Sequence, residues 1–352
     1  MPDPIAGIHH VTAVSGEAGG TVAFYRDVLG LRLVKVTVNF DDTDTYHLYF
    51  GNEAGEPGTS LTFFPFGGGS GRPGVGAATA TALAVPPGSL AAFWSDHLAD
   101  HGITVDGPFD RFDERVCRFR DPDGQPLELV ETETVLDPWP GGPIPADHAI
   151  HGFHGVTLSP TDPTATGSVL ETMGFERTRT REATGSGAGS GDTPVRLRYE
   201  GTGEAARVVD LETTGEDRGR PGPGTVHHVA FRVPDEDAQD AWREELTEAG
   251  LRVTPPRDRH YFRSIYFREP GGVLFELATE GPGFTEDEAL AELGTALQLP
   301  PWLEDQRESI ERGLPPIDLS DPAGVGAGDV SDSANGADSG EAAGDGAGRE
   351  AG

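Results

Sequence analysis

Two histidine pairs, His9-His10 and His227-His228, stand 218 positions apart, each opening an apolar run that reads as a strand, GIHHVTAV and TVHHVAFRV. A third run, GGVLFELAT, carries Glu276, 48 positions beyond His228. Two neutral imidazoles and one carboxylate, leaving other coordination positions open, are the ligand set of oxygen-activating non-haem Fe(II), and Mn(II) accepts the same set. A lone strand histidine is usually structural, but a carboxylate buried in VLFEL is costly unless paired or metal-bound. Spacings this long exclude a local metal clip, so only a fold that joins remote strands can assemble the site.

Such a fold is visible as internal repetition. Four segments share one order of elements: a short strand, a helix, then a hairpin-like set of strands. They open at GIHHVTAV, ATALAVP, HGFHGVTL and TVHHVAFRV, roughly 70–75 residues apart. In each, the helical stretch runs out at a glycine (Gly30, Gly102, Gly174, Gly250), as a helix C-terminus does. DPDG and EPGG punctuate the last two strands of the second and fourth copies as turns. The expectation is an α+β protein of four βαβββ modules in two tandem domains, each domain closing a curved-sheet barrel. The Pro/Gly-rich stretch DPWPGGPIPADHA sets the boundaries: an N-terminal domain over 1–140, a linker over 141–150 and a C-terminal domain over 151–300. GGGSGRPGVG and TGSGAGSGD read as flexible loops, and 317–352, rich in Gly, Ala, Asp and Ser, as a disordered acidic tail.

Superposing the copies places His10, Ala82, His154 and His228 at one first-strand position, and Phe64, Glu128, Asp210 and Glu276 at one last-strand position. His228 and Glu276 then become neighbours in one sheet. The third ligand comes from another copy, His10 if the first pairs with the fourth, His154 if the third does. Glu128, in PLELVE, has no histidine in its own copy and reads as structural.

The 352 residues carry a formal charge of −33, with Lys35 the sole lysine. Such a surface repels nucleic acid and acidic substrates and suits high salt, where repulsion is screened to a few Å. With Cys117 as the only cysteine, neither an intrachain disulfide nor a cysteine-based zinc site can form. No stretch reaches 18 apolar residues and no leader pattern opens the chain, so the expectation is a soluble cytoplasmic protein without membrane contact. Self-association is left open.

The four modules, the HHVTA and HHVAF strands and the GGVLFEL strand resemble the vicinal oxygen chelate superfamily, which includes glyoxalases, bleomycin resistance proteins and extradiol dioxygenases. Over about residues 5–300, through YHLYFGNEAGEPGT, HGFH and RHYF…Y…PGG, the chain looks like the ring-cleaving dioxygenases of hydroquinones. That resemblance implies Fe(II) on His10, His228 and Glu276, with His9, Thr12, His227, Arg259 and Tyr266 around it. The catechol extradiol branch would imply His154 in place of His10. The implied partners are a small aromatic substrate and dioxygen. Tyr266 would donate to a substrate oxygen and Arg259 would hold a phenolate. His9 and His227, by strand alternation, would face away from their neighbours.

Fold alone does not decide function. A glyoxalase-type isomerase wants two carboxylates among its ligands, and Phe64 stands where the second would be. A non-catalytic binding or resistance protein needs no His/His/Glu set.

Overall fold

A computed structural model of the chain describes residues 2–182, 195–213 and 217–319. All four βαβββ modules are present. The first comprises β1 (Ile8–Ser15), α1 (Ala18–Val22), β2 (Arg32–Asn39), β3 (Asp42–Gly51) and β4 (Ser60–Pro65). The second has β5 (Ala77–Val85), α2 (Ser95–Asp100), β6 (Asp106–Arg111), β7 (Glu114–Arg120) and β8 (Pro126–Glu131). The third has β9 (Gly152–Ser159), α3 (Pro163–Thr172), β10 (Glu176–Glu182), β11 (Val195–Glu200) and β12 (Val208–Glu212). The fourth has β13 (Thr225–Val233), α4 (Glu236–Glu248), β14 (Arg257–Asp258), β15 (Phe262–Arg268) and β16 (Leu274–Pro282). α1 continues as a π-helical segment over Ala23–Val28, and the four helical stretches give way to Gly30, Gly102, Gly174 and Gly250, all at positive φ, which a side chain would strain.

The modules pair as a nest. β1 runs antiparallel to β13, which joins the first and fourth modules in the sheet β14-β15-β16-β13-β1-β4-β3-β2. β5 runs antiparallel to β9, which joins the second and third in β10-β11-β12-β9-β5-β8-β7-β6. Both sheets therefore draw strands from each side of the Pro/Gly-rich linker. Local patterning specifies a strand but not which copy supplies its neighbour.

Pairing register also revises the superposition. Glu276 pairs with Ala230 and Glu128 with Ala82, whereas Thr62, not Phe64, pairs with Thr12. Relative to His10 and His228, two residues earlier on their strands, the counterpart of Glu276 in the first module is Thr62. A slip of two residues keeps every side chain on its face, so the alternating pattern could not reveal it.

The 67–76 stretch is not a free loop. It pairs along the segment leading into β13, with Arg72 N–H donating to Arg220 O and Arg220 N–H to Arg72 O, both at 2.8 Å. TGSGAGSGD and residues 320–352 lie outside the described residues. Residues 284–319, including the short α5 (Arg307–Gly313), run back over the first module. Gln298 N–H donates to Val36 O at 2.8 Å and Tyr46 Oη to Pro315 O at 2.9 Å. Lys35, fully buried, sits between the carboxylates of Asp287 and Glu288 and 4.9 Å from the Tyr261 ring centroid. No described helix is long and apolar enough to cross a membrane.

Candidate metal centre

His10 on β1, His228 on β13 and Glu276 on β16 meet on one face of the first sheet. Glu276 Oε2 lies 2.9 Å from His228 Nε2 and 3.4 Å from His10 Nε2, and the two Nε2 atoms are 3.3 Å apart. Among the described residues no other trio of His, Cys, Asp and Glu gathers its ligand atoms this closely. All three residues are buried, Glu276 completely. Burial alone would push the Glu276 carboxyl up, but His10 and His228 outweigh it and hold the group well below the usual carboxylate range. Burial in turn keeps His228 below the ordinary imidazole value, more than Glu276 raises it. A carboxylate beside an unprotonated His228 is the state a divalent metal requires.

The donors fit such an ion on a second count. Glu276 Oε1 accepts from Ser264 Oγ at 2.5 Å, whereas the buried Oε2 accepts no hydrogen bond. A buried carboxylate oxygen left without one is expensive, and a cation between Oε2 and the two imidazoles removes that expense.

His9 and His227 are brought to their neighbours rather than turned from them. On β1, His9 is an extra residue between the pairs Ile8–Phe231 and His10–Ala230, and on β13, His227 is extra between Thr12–His228 and Ala13–Val226. These two β-bulges break the alternation. His9 Nδ1 lies 2.9 Å from His10 Nδ1, and His227 Nδ1 lies 2.7 Å from His228 Nδ1. In the tautomer where each outer imidazole accepts the inner Nδ1 proton, the inner Nε2 lone pair is free for a metal. Burial, then the adjacent His10, lower His9 to about 3, and burial, then His228, lower His227 to about 4, so both are neutral acceptors. His9 also hydrogen-bonds the backbone of Thr279.

A cavity of about 340 Å³ opens beside the three ligands, lined among others by Phe64, Leu274, Arg259 and Tyr266. Tyr266, paired with Glu276 across β15 and β16, accepts from Arg259 Nε at 3.2 Å. Arg259 also donates to Asp41 at 2.9 Å, on the turn between β2 and β3. Burial, then Glu276, push the Tyr266 phenol up, so it is a proton donor. Thr12 pairs with His228 across β1 and β13, its Oγ1 2.8 Å from Thr62 Oγ1.

His154 is not part of this constellation. It stands on β9 in the other sheet, its Nε2 3.1 Å from Glu114 Oε1. There Asp210 is held by Arg196 and Arg198, Glu128 by Arg111 and Arg118, and Glu114 by Arg198. Guanidinium groups supply the positive charge, and the second sheet's acidic positions are ordinary polar structure.

Sequence reasoning passed over His47, Tyr49 and Ser264. His47 and Tyr49 line the cavity from β3, where the alternation of YHLYF puts both on the face that meets His10, His228 and Glu276. Ser264 in FRSIYF shares a face with Tyr266, a signal available once Glu276 is placed.

The chain belongs to the glyoxalase/bleomycin resistance protein/dioxygenase superfamily, whose model matches residues 7–129 and 171–277. It is 44% identical over 91% of its length to MhqO of Bacillus subtilis (strain 168), provisionally named a ring-cleaving dioxygenase, 99% of which is covered. It is 35% identical, over 89% of this chain and 97% of the relative, to the chlorohydroquinone/hydroquinone 1,2-dioxygenase of Sphingobium indicum. A crystal structure of a provisionally named dioxygenase from Bacillus subtilis superposes with a TM-score of 0.83 at 43% identity, covering 91% of this chain and 99% of that one. Glyoxalase I of Zea mays, 17% identical with a TM-score of 0.56 over 78% of this chain and 92% of its own, shares the fold.

Proposed function

We propose that this protein is a non-haem Fe(II) ring-cleaving dioxygenase acting on a hydroquinone or catechol-like aromatic, with His10, His228 and Glu276 as metal ligands and Mn(II) as the alternative ion. The observation that carries the reading is the convergence of two Nε2 atoms and an unbonded carboxylate oxygen at an aromatic-lined cavity. At about 340 Å³ the cavity sits at the small end of ligand pockets, roughly 300–1,000 Å³, and suits one substituted ring. The relatives named as ring-cleaving and hydroquinone dioxygenases support the same chemistry.

When bound, the iron supplies the electron path between ring and dioxygen. The protein does the rest. His9 and His227 fix the orientation of the ligand imidazoles, and Ser264 turns Glu276. Phe64 and Leu274 hold the ring and exclude water, Arg259 offsets charge on a substrate oxygen, and Tyr266 offers that oxygen its O–H. An isomerase of the glyoxalase kind is disfavoured by Thr62, which stands where a second carboxylate ligand would be.

The test is anaerobic reconstitution with Fe(II) in high salt, metal analysis, then oxygen uptake with a panel of hydroquinones and catechols. Uptake that follows iron content and disappears in His10→Ala but not in His154→Ala supports the proposal. Bound metal with no uptake on any diol refutes it.

A further inference from the structure

Two phenols line the metal cavity, and unlike groups stand behind them. Arg259 backs Tyr266, and His47 backs Tyr49, whose Oη lies 2.8 Å from His47 Nδ1. Beyond His47 the chain continues: Nε2 lies 3.0 Å from Thr62 Oγ1, which lies 2.8 Å from Thr12 Oγ1. The imidazole cannot tip, because its ring is held between Tyr49 and Phe64, with centroids 4.0 Å and 4.2 Å away.

The protonation states give this chain a direction. Burial keeps the Tyr49 phenol protonated, so it has one proton to donate. Burial, then His10 and His228, keep His47 unprotonated, so it has one ring nitrogen free to accept. With Tyr49 donating to Nδ1, the His47 proton resides on Nε2 and points at Thr62. A cation behind a phenol makes it a better acid, and a neutral imidazole behind a phenol lets it act as a base. The two tyrosines thus divide proton donation and proton acceptance between them.

We infer that Tyr49, backed by His47, takes up the hydroxyl proton that an aromatic diol sheds on binding in the cavity. This rests on the ring-cleavage reading above. The substrate O–H bond breaks with its electron pair left on the substrate oxygen, and the proton goes to Tyr49 Oη. The proton already on Tyr49 passes to His47 Nδ1, giving an imidazolium whose burial penalty is offset by the negative charge left on the substrate oxygen. No oxidant or reductant is consumed. Tyr49 is the group that touches substrate; His47 acts through it, and Thr62 and Thr12 position His47.

The experiment uses full-length protein loaded with Mn(II), without oxygen, and titrates it with nitrohydroquinone, whose colour separates the neutral from the ionised phenol. The pH is one at which the free probe is neutral. Wild type is expected to bind the probe ionised. Tyr49→Phe and His47→Gln should bind it with the ionised-to-neutral ratio lowered about tenfold or more, the equivalent of one pKa unit, at unchanged Mn(II) content. Tyr49→Phe removes one oxygen and covers the case in which His47→Gln does not fold. An ionised fraction equal in all three proteins overturns the inference, as does a wild type that binds the probe neutral. A wild type that binds no probe at all refutes the ring-cleavage reading instead.

Discussion

Ser264 offers the sharpest test of the proposed metal centre, because it touches Glu276 without being one of the three proposed ligands. It is fully buried, and its Oγ donates to Glu276 Oε1 at 2.5 Å, which turns Oε2 toward the two imidazoles. Ser264→Ala deletes one oxygen and leaves Oε1 without that donor. A hydrogen bond to a charged group contributes about 1.5–3 kcal/mol. Loss of a group orienting a metal ligand typically weakens affinity about 10–100-fold, or roughly 1.4–2.7 kcal/mol. The two estimates coincide, so most of the lost bond should appear in metal affinity. The assay is thermal unfolding of the protein with and without Mn(II). At a metal concentration 100 times the wild-type Kd, binding stabilises by about 2.7 kcal/mol. In Ser264→Ala that increment should shrink by about 1.3 kcal/mol for a tenfold loss and nearly vanish for a hundredfold one. In a chain this long each kcal/mol moves Tm by about 2 °C, which calorimetry resolves. An identical metal-induced shift in both proteins would refute the reasoning, since Ser264 would then have no hold on the ligand. That result means equal destabilisation with and without metal, and it would mark Ser264 as packing only.

The nested pairing predicts that His10→Ala abolishes metal uptake measured by elemental analysis. His154→Ala should keep full metal content but lose about 1–3 kcal/mol in chemical denaturation, since Glu114 loses a buried partner. Burial pushes Glu114 up, but His154 and Arg198 outweigh it and hold it at about 2. A depressed carboxyl contributes stability above its unfolded value and loses it as pH falls through the folded one. Glu114→Gln should therefore flatten the loss of stability between about pH 4.5 and 2 by up to roughly 3 kcal/mol, read by denaturant titration at each pH. Burial pushes the Cys117 thiol up to about 11, so iodoacetamide at pH 8 should label it only after unfolding, as mass spectrometry will show. With 59 acidic against 26 basic residues, Tm should rise with KCl concentration as repulsion is screened. A flat or falling Tm would remove the high-salt reading of the surface.

Much of this was legible in the chain because repetition is a local signal. Four independent segments agree on one unit, each helix ends in glycine, and a carboxylate in VLFEL beside HHVAF announces itself. What was not legible depends on partners distant in sequence. His10 and His154 were both open as third ligand because local patterning does not choose which copies pair, and the β1–β13 contact decides it. Alternation turned His9 and His227 outward, and two bulges turned them back. Phe64 replaced Thr62 in the superposition because a two-residue slip leaves the face unchanged. His47 was hidden for the opposite reason: it fits the alternation of β3 so well that nothing marks it. The 67–76 stretch has the composition of a free loop, yet another segment holds it. Lys35, conspicuous as the sole lysine, gave no sign that it pins residues 287–288 to the first module.

Nesting also sets a timetable for synthesis. The inner modules, second and third, are complete once residue 212 has been made, so their sheet can close while the outer one still lacks half its strands. β1 emerges first and waits for β13, more than 200 residues behind it. At about 5–20 residues per second, that is roughly 10–45 s with an unpaired strand edge. Such an edge invites pairing with other chains, and a nascent chain in this state is the form a chaperone would have to guard. The same timetable protects the metal centre. Glu276, the last of the three proposed ligands in chain order, lies on β16, the last of the described strands to be made, so the complete set becomes available only once both sheets can close.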